Sequence, residues 1–415
     1  MLTRRRFLGL AGGVTAGAVG GAVAWSQLVD ERVRDRVERG GSAEPGRVLL
    51  VVQCLGGNDG LNTLVPADGR YRDARPALAV PEGELVALEG EARYALHPSL
   101  EPLAARWASG ELACVEALGI EGQTRSHFEA MDTWWAADTA AGTSGWLGRW
   151  LDATSGDEPD PLRAVALGDG APILAAERSI STTVRRPDAF TLRTPPGVDA
   201  DGVVAAFEAT AAPLSDDPLR AAAQLAVPST LEAVAALARA NGPGEDPVPQ
   251  ELGQGRRYGD QATRLLETAA GIVELDIGTQ VLSVGIRGFD THANQLETHA
   301  SLLADVAGGI DSFLTTMEER GHADRVLVIT TSEFGRRVSE NASGGTDHGT
   351  GGVHFLAGRG LNGQIVGDAD LAALQAGDVR AAIDSRSLFA VALDWLGGPT
   401  DEILGGAYDR YDLLV

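Results

Sequence analysis

Three nearly continuous apolar runs, rich in β-branched residues, set the architecture open to this chain: Val48 to Leu55, Val281 to Ile286 and Val326 to Ile329. Runs of strand length without polar alternation mark strands buried on both faces, and such strands belong to parallel sheets covered by helices. Each run ends abruptly in a polar motif. The first leads into Gly56-Gly57-Asn58-Asp59-Gly60, the second into Phe289-Asp290-Thr291-His292, the third into Thr331-Ser332-Glu333-Phe334-Gly335. A fourth motif, Thr346-Asp347-His348-Gly349, follows shortly after. Ligands of an open α/β sheet bind outside the carboxyl ends of its strands, so the four motifs are expected to share one rim.

Leu112 to Leu118 and Val353 to Ala357 read as further strands. Helical patterns lie between them. One opens at His97-Pro98 and runs to about Ser109, and one spans Ser126 to Asp138 with Phe128, Met131, Trp134 and Trp135 on one side. A longer one carries Leu296, Leu303, Ile310, Phe313, Leu314 and Met317 at helical spacing. This alternation predicts a doubly wound α/β fold, with a mostly parallel sheet and helices on both faces. Residues from about 155 to 275 hold strand-like pieces and then an alanine-rich helical stretch, read as a mainly helical insertion in a domain spanning 47–415.

The chain opens with Thr3-Arg4-Arg5-Arg6-Phe7-Leu8, an uncharged run from Gly9 to Trp25, and Ala22-Val23-Ala24 as a cleavage site. That pattern is a twin-arginine export signal over residues 1–24, with a linker over 25–46. The run is too weakly hydrophobic for a stable span. The formal net charge of −24 argues against nucleic acid and acidic membranes as partners. All 34 basic residues are Arg, which excludes lysine Schiff-base chemistry. Cys54 and Cys114 lie in separate apolar runs and are expected as buried thiols rather than a disulfide. With no CxxC or Cys/His cluster, thiolate zinc and iron–sulfur sites are excluded.

The motifs offer oxygen and nitrogen ligands, the set for a divalent ion such as Zn, Mn, Mg or Ca. Asp59 sits in a glycine turn, where Asp also serves conformation. Asp290 and His292 can share an ion, or Asp290 or Thr291 can cap the helix that follows. Glu333, ending a buried strand, needs either a metal or a partner such as Arg336 or Arg337. His348 is a ligand candidate, with Asp347 placed to orient its ring. His97, His299 and His322 read as packing or surface residues, and His354 as facing its strand.

Thr124-Arg125-Ser126-His127-Phe128-Glu129 has the spacing of a Ser126/Glu129 capping box. A hydroxyl at a helix N-terminus also suits a nucleophile, so Ser126 or Thr124 are candidates for metal-assisted attack. Arg125 and Arg336 are candidates for holding ester oxygens.

Taken together, Cys54 to Asn62, Ser126-His127-Phe128, Phe289 to His292 and Ser332 to Arg336, followed by Asp347-His348 and Val353 to Gly360, resemble the domain-of-unknown-function 1501 family of exported proteins. The likeness in order and spacing covers about residues 47 to 410. That family is similar to a branch of the alkaline phosphatase and sulfatase superfamily. The resemblance implies an alkaline-phosphatase-like domain, one or two divalent ions and a small-molecule or polymer-borne phosphate or sulfate ester as substrate. It implies Asp59 as a first-strand metal carboxylate, Asp290 with His292 at the other ion, Glu333 in place of the Asp of an Asp-His pair, and His348 as the late histidine. Phe334 stands where that pair has its imidazole, and no Cys/Ser-x-Pro-x-Arg motif is present. The competing expectation is an exported binding or assembly protein that keeps the fold and a structural metal.

Overall fold

The computed structural model describes residues 46–138, 142–156, 160–187, 200–211 and 260–415, with single positions between 220 and 240. The signal segment, nearly all of the linker and much of the alanine-rich stretch lie outside the described residues.

In chain order the strands are β1 (Val48–Leu55), β2 (Leu64–Pro66), β3 (Val86–Ala87), β4 (Tyr94–Leu96), β5 (Leu112–Gly119), β6 (Ala164–Gly168), β7 (Thr182–Val184), β8 (Val281–Arg287), β9 (Val326–Thr331), β10 (Gly352–Ala357), β11 (Ile365–Val366) and β12 (Ile383–Asp384). The main sheet runs β11-β5-β10-β9-β1-β8-β6-β7, with β12 also on β5. β2, β4 and β3 form a small antiparallel sheet.

β1 sits centrally and pairs in parallel with β8 and β9, Leu49 opposite Val281 and Val48 opposite Val326. β10 alone runs against its neighbours β9 and β5. The mostly parallel sheet expected from the apolar runs is therefore the one observed. β6 and β7, which lie within 155–275, continue it at one edge.

Alternation along β1 divides the core in two. Val48, Leu50, Val52 and Cys54 pack with residues of the helices Gln261–Glu274 and Gln295–Glu319. Leu49 and Val51 pack with residues of the helices Trp146–Thr154 and Ser385–Leu396 on the opposite face. Burial on both faces explains why the run is nearly all apolar, and its one polar residue, Gln53, is buried and donates to the Gly170 carbonyl and Ser283 Oγ. Cys54 and Cys114 are free, buried thiols, and burial pushes the Cys54 thiol up to about 12.

Three local expectations are corrected. Phe128 was grouped with Trp134 by periodicity but is 84% exposed in the first turn of its helix, whose buried residues begin at Ala130. Leu296, in the first turn of Gln295–Glu319, is likewise exposed. Ser126 occupies the N-cap of His127–Ala136 but makes no side-chain capping bond, so the box with Glu129 does not form. The remaining packing histidines behave as read: His97 Nδ1 accepts the Ser99 N–H, and His354 is buried against Trp134.

Because β1, β8, β9 and β5 point the same way, their carboxyl ends share one rim, and β10 starts there. Just below it, β5 buries Glu116, which is 1% exposed. Burial, reinforced by Asp368, pushes this carboxyl up to about 8 from an ordinary value of 4.5. The unfolded chain releases the proton first, so the folded state binds more protons in that window. Stability then falls as pH rises through it. Glu116→Gln is expected to match the parent near pH 4 and to exceed it increasingly toward about pH 9. Urea midpoints that shift in parallel for both proteins across this range would refute the assignment.

Candidate metal centre

The loop after β8 reaches the rim through a tight turn in which the Thr291 N–H donates to the Phe289 carbonyl at 2.9 Å. It lies against the loop after β1, where a Cβ on Gly56 would stand 2.3 Å from the Asp290 nitrogen and φ is +123°. Only glycine allows that approach. Asn294 holds the N-cap position of the helix Gln295–Glu319 without a side-chain capping bond, and the Gln295 N–H donates to the Gly344 carbonyl, so neither Asp290 nor Thr291 serves as its cap. Thr291 donates instead to Gln295 Oε1.

Asp290, His292 and His348 converge. Asp290 Oδ1 lies 3.1 Å from His292 Nε2 and 3.2 Å from His348 Nε2, and the two imidazole nitrogens are 2.9 Å apart. The far nitrogen of each ring is committed. His348 Nδ1 donates to the Arg125 carbonyl at 2.8 Å, and His292 Nδ1 faces Asp347 Oδ1 at 3.2 Å. A carbonyl and a carboxylate both accept, which puts the protons on Nδ1 and the lone pairs on Nε2. Two lone pairs and a carboxylate oxygen thus point into one space. Asp347 orients His292 rather than His348, the ring expected from the sequence, because Asn341 holds its carboxylate on the His292 side.

Burial works to raise Asp290, but the hydrogen bond from Arg336 at 2.8 Å and the positive charge behind it outweigh it and hold the carboxyl at about 2. Burial pushes the His348 imidazole down. Asp290 and His292 side chains remain 46% and 44% exposed, so the cluster opens to solvent.

A residue outside the sequence-derived set joins it. His127, first in its helix, places Nδ1 2.9 Å from Glu333 Oε1 and Nε2 3.5 Å from Asp290 Oδ2. Its hydrogen bond to Glu333 raises its pKa against the opposing effect of burial. Ligating atoms of His127, Asp290 and His348 all lie within 4.8 Å of one another. Its signals in the sequence were its place directly after the candidate N-cap and its membership of the Ser126-His127-Phe128 stretch, where hydroxyl chemistry overshadowed the imidazole.

The other expected residues have different surroundings. Glu333 is buried and accepts the Gly56 N–H at 2.8 Å as well as His127; it forms no ion pair with Arg336 or Arg337 among the described residues. Asp59 pairs at 2.7 Å with Arg75, both side chains fully buried, and also accepts from Gln295 and the Asn62 N–H. Burial opposes ionisation of Asp59, and Arg75 with His299 overcomes it to lower the pKa. Arg75 had no local signal: it follows a short surface helix.

Arg336 is fully buried and donates to the carbonyls of Gly56, Gly57, Phe289 and Thr346 besides Asp290. Its donors are used within the fold. Arg125 turns its guanidinium to Asp378 and offers only its carbonyl to the cluster. Ser126 and Thr124 are exposed at the rim, the Ser126 N–H donating to Thr124 Oγ1 at 3.3 Å.

The family model described as protein of unknown function (DUF1501) matches residues 89–411, and the chain belongs to that family. No curated protein matches the sequence. Among solved structures the chain is similar to a phosphonate monoester hydrolase, SpPMH, from Silicibacter pomeroyi, at 11% identity and TM-score 0.37, covering 89% of this chain and 76% of that one. It is similar to a protein in the alkaline phosphatase superfamily from Vibrio parahaemolyticus, at 9% identity and TM-score 0.41, covering 93% and 79%. A third is the PsFucS1 sulfatase from Pseudoalteromonas sp., at 10% identity and TM-score 0.36, covering 93% and 74%.

Arg336→Met would strand buried carbonyls and one carboxylate of the cluster. Urea denaturation is expected to show a loss of about 3–5 kcal/mol. A loss below about 1 kcal/mol would mean that water replaces the guanidinium and that Arg336 does not organise the rim.

Proposed function

We propose that this protein is an exported hydrolase of phosphate or sulfate esters that works with one divalent ion. The observation that carries the reading is the convergence of Asp290 Oδ1 with the Nε2 atoms of His292 and His348 at 2.9 to 3.2 Å. Donors on a tetrahedral ion with bonds of about 2.0–2.1 Å stand roughly 3.3 Å apart, which this spacing approaches. Two imidazoles with one carboxylate suit Zn or Mn better than Mg or Ca, which favour all-oxygen shells. A bound divalent ion supplies Lewis acidity that polarises an ester oxygen and acidifies a nucleophilic water.

The chain's own residues account for the rest. Asp347 and the Arg125 carbonyl hold the two rings in the ligating tautomer, and Arg336 keeps Asp290 ionised. Ser126 and Thr124 offer exposed hydroxyls on the segment whose carbonyl contacts His348, with Ser126 the nucleophile of choice if attack is covalent. Asp59 and Glu333 have internal partners, which supports one ion rather than two. Exposure of Asp290 and His292 favours a working site over a closed structural one. Export by the twin-arginine route rests on residues 1–24, and no helix among the described residues is long and apolar enough to cross a membrane.

Protein recovered after export in folded form is expected to carry about one Zn or Mn per chain by elemental analysis, and Asp290→Ala none. It should turn over members of a panel of nitrophenyl phosphate monoesters, diesters and sulfates. Absence of metal from the parent, or turnover that survives both Asp290→Ala and His348→Ala, would sink the reading.

A further inference from the structure

Glu333 has the position of a ligand but the contacts of a support. Its Oε1 accepts both the Gly56 N–H and the His127 ring at Nδ1. That arrangement leaves the lone pair of His127 on Nε2. Nε2 is buried, has no hydrogen-bond partner among the described residues, and faces Asp290 Oδ2 at 3.5 Å. A lone pair aimed at a carboxylate oxygen is repulsive unless a proton or a metal ion lies between them. Rotation of the ring is restricted, since its centroid is 4.3 Å from that of His348 and 5.0 Å from that of Phe334.

We propose that His127 Nε2 is a further ligand of the ion held by Asp290, His292 and His348, and that Glu333 is the positioning carboxylate behind it. The proposal rests on the metal reading above and deepens it. A carboxylate on the far nitrogen of a ligating imidazole fixes its tautomer and raises its basicity. Phe334 occupies the place of a missing imidazole in the chain's third motif, and His127 supplies one from a helix more than two hundred residues earlier. The ligand set becomes three imidazoles and one carboxylate. The open side at Asp290 and His292 leaves one position for solvent or substrate, a five-coordinate arrangement that Zn, Mn and Co accept.

The test titrates the full, metal-free protein with Co(II) alone, reading visible absorption and heat of binding. His127→Gln and Glu333→Gln are each expected to weaken Co(II) binding about 10- to 100-fold, with the melting of the metal-free protein retained. His127→Gly should regain affinity and absorption when imidazole is added, whereas Glu333→Gln should not. Unchanged affinity and spectrum in both His127 variants, while His348→Ala abolishes binding, would overturn the proposal and leave the metal reading standing. Failure of the parent to bind Co(II), Zn or Mn would overturn both.

Discussion

Arg336 has five N–H groups and no exposure, so each donor must find an acceptor inside the protein or cost about 1–3 kcal/mol. The acceptors it finds are backbone carbonyls of three separate segments: Gly56 and Gly57 after β1, Phe289 after β8, and Thr346 before β10. Carbonyls have no side-chain freedom, and a guanidinium fork fixes direction as well as distance. One side chain thereby sets where three loops lie relative to one another. Asp290 shares the Nη2 hydrogens with Gly56 and Phe289, and the two imidazoles are placed around it. The cluster is a consequence of how a buried cation is satisfied.

The same logic divides the carboxylates. Burying a charge requires a partner, and each acidic residue of the rim has its own: Asp59 has Arg75, Glu333 has an N–H and an imidazole, and Asp290 has Arg336. Asp290 alone also presents both oxygens to imidazole nitrogens and keeps one side in solvent. A resemblance read by position treats the three as equivalent ligands. Their surroundings differ: Asp290 faces imidazoles and solvent, Glu333 holds an N–H and an imidazole, and Asp59 is half of an internal ion pair.

Which features the sequence disclosed follows from the range of the interactions. The central strands were legible because burial on both faces acts residue by residue, and β1, β8 and β9 carry it along nearly their whole length. Convergence of Asp290, His292 and His348 was legible because strand ends share a rim. The contacts that no motif announced depend on distant partners. Arg75 meets the Val338 carbonyl, and His127 meets Glu333, across more than two hundred residues in each case. Periodicity placed Phe128 and Leu296 on apolar faces because it cannot tell which turn of a helix has something to pack against. The choice between His292 and His348 as the ring that Asp347 orients turned on Asn341, a residue with no motif of its own.

The reversed strand explains the last motif. β10 is antiparallel to β9, so the chain leaves the rim at Thr331 and re-enters the sheet at the same rim at Gly352. A parallel strand would have required a crossover to the opposite edge before entering, and His348 would lie far from Asp290. The return is tight: the Gly335 N–H donates to Thr350 and the Gly349 N–H to Gly335, at 2.9 and 2.8 Å. A Cβ on Gly335 would meet the Gly351 carbonyl oxygen at 2.0 Å, and one on Gly349 would meet Arg336 backbone at 2.5 Å. Glycine is abundant here because two stretches of backbone touch, which argues for a rigid return rather than a loop that wraps a ligand. Rigidity is what the proposed role of His348 needs, since an imidazole displaced by about 1 Å could not share an ion with Asp290.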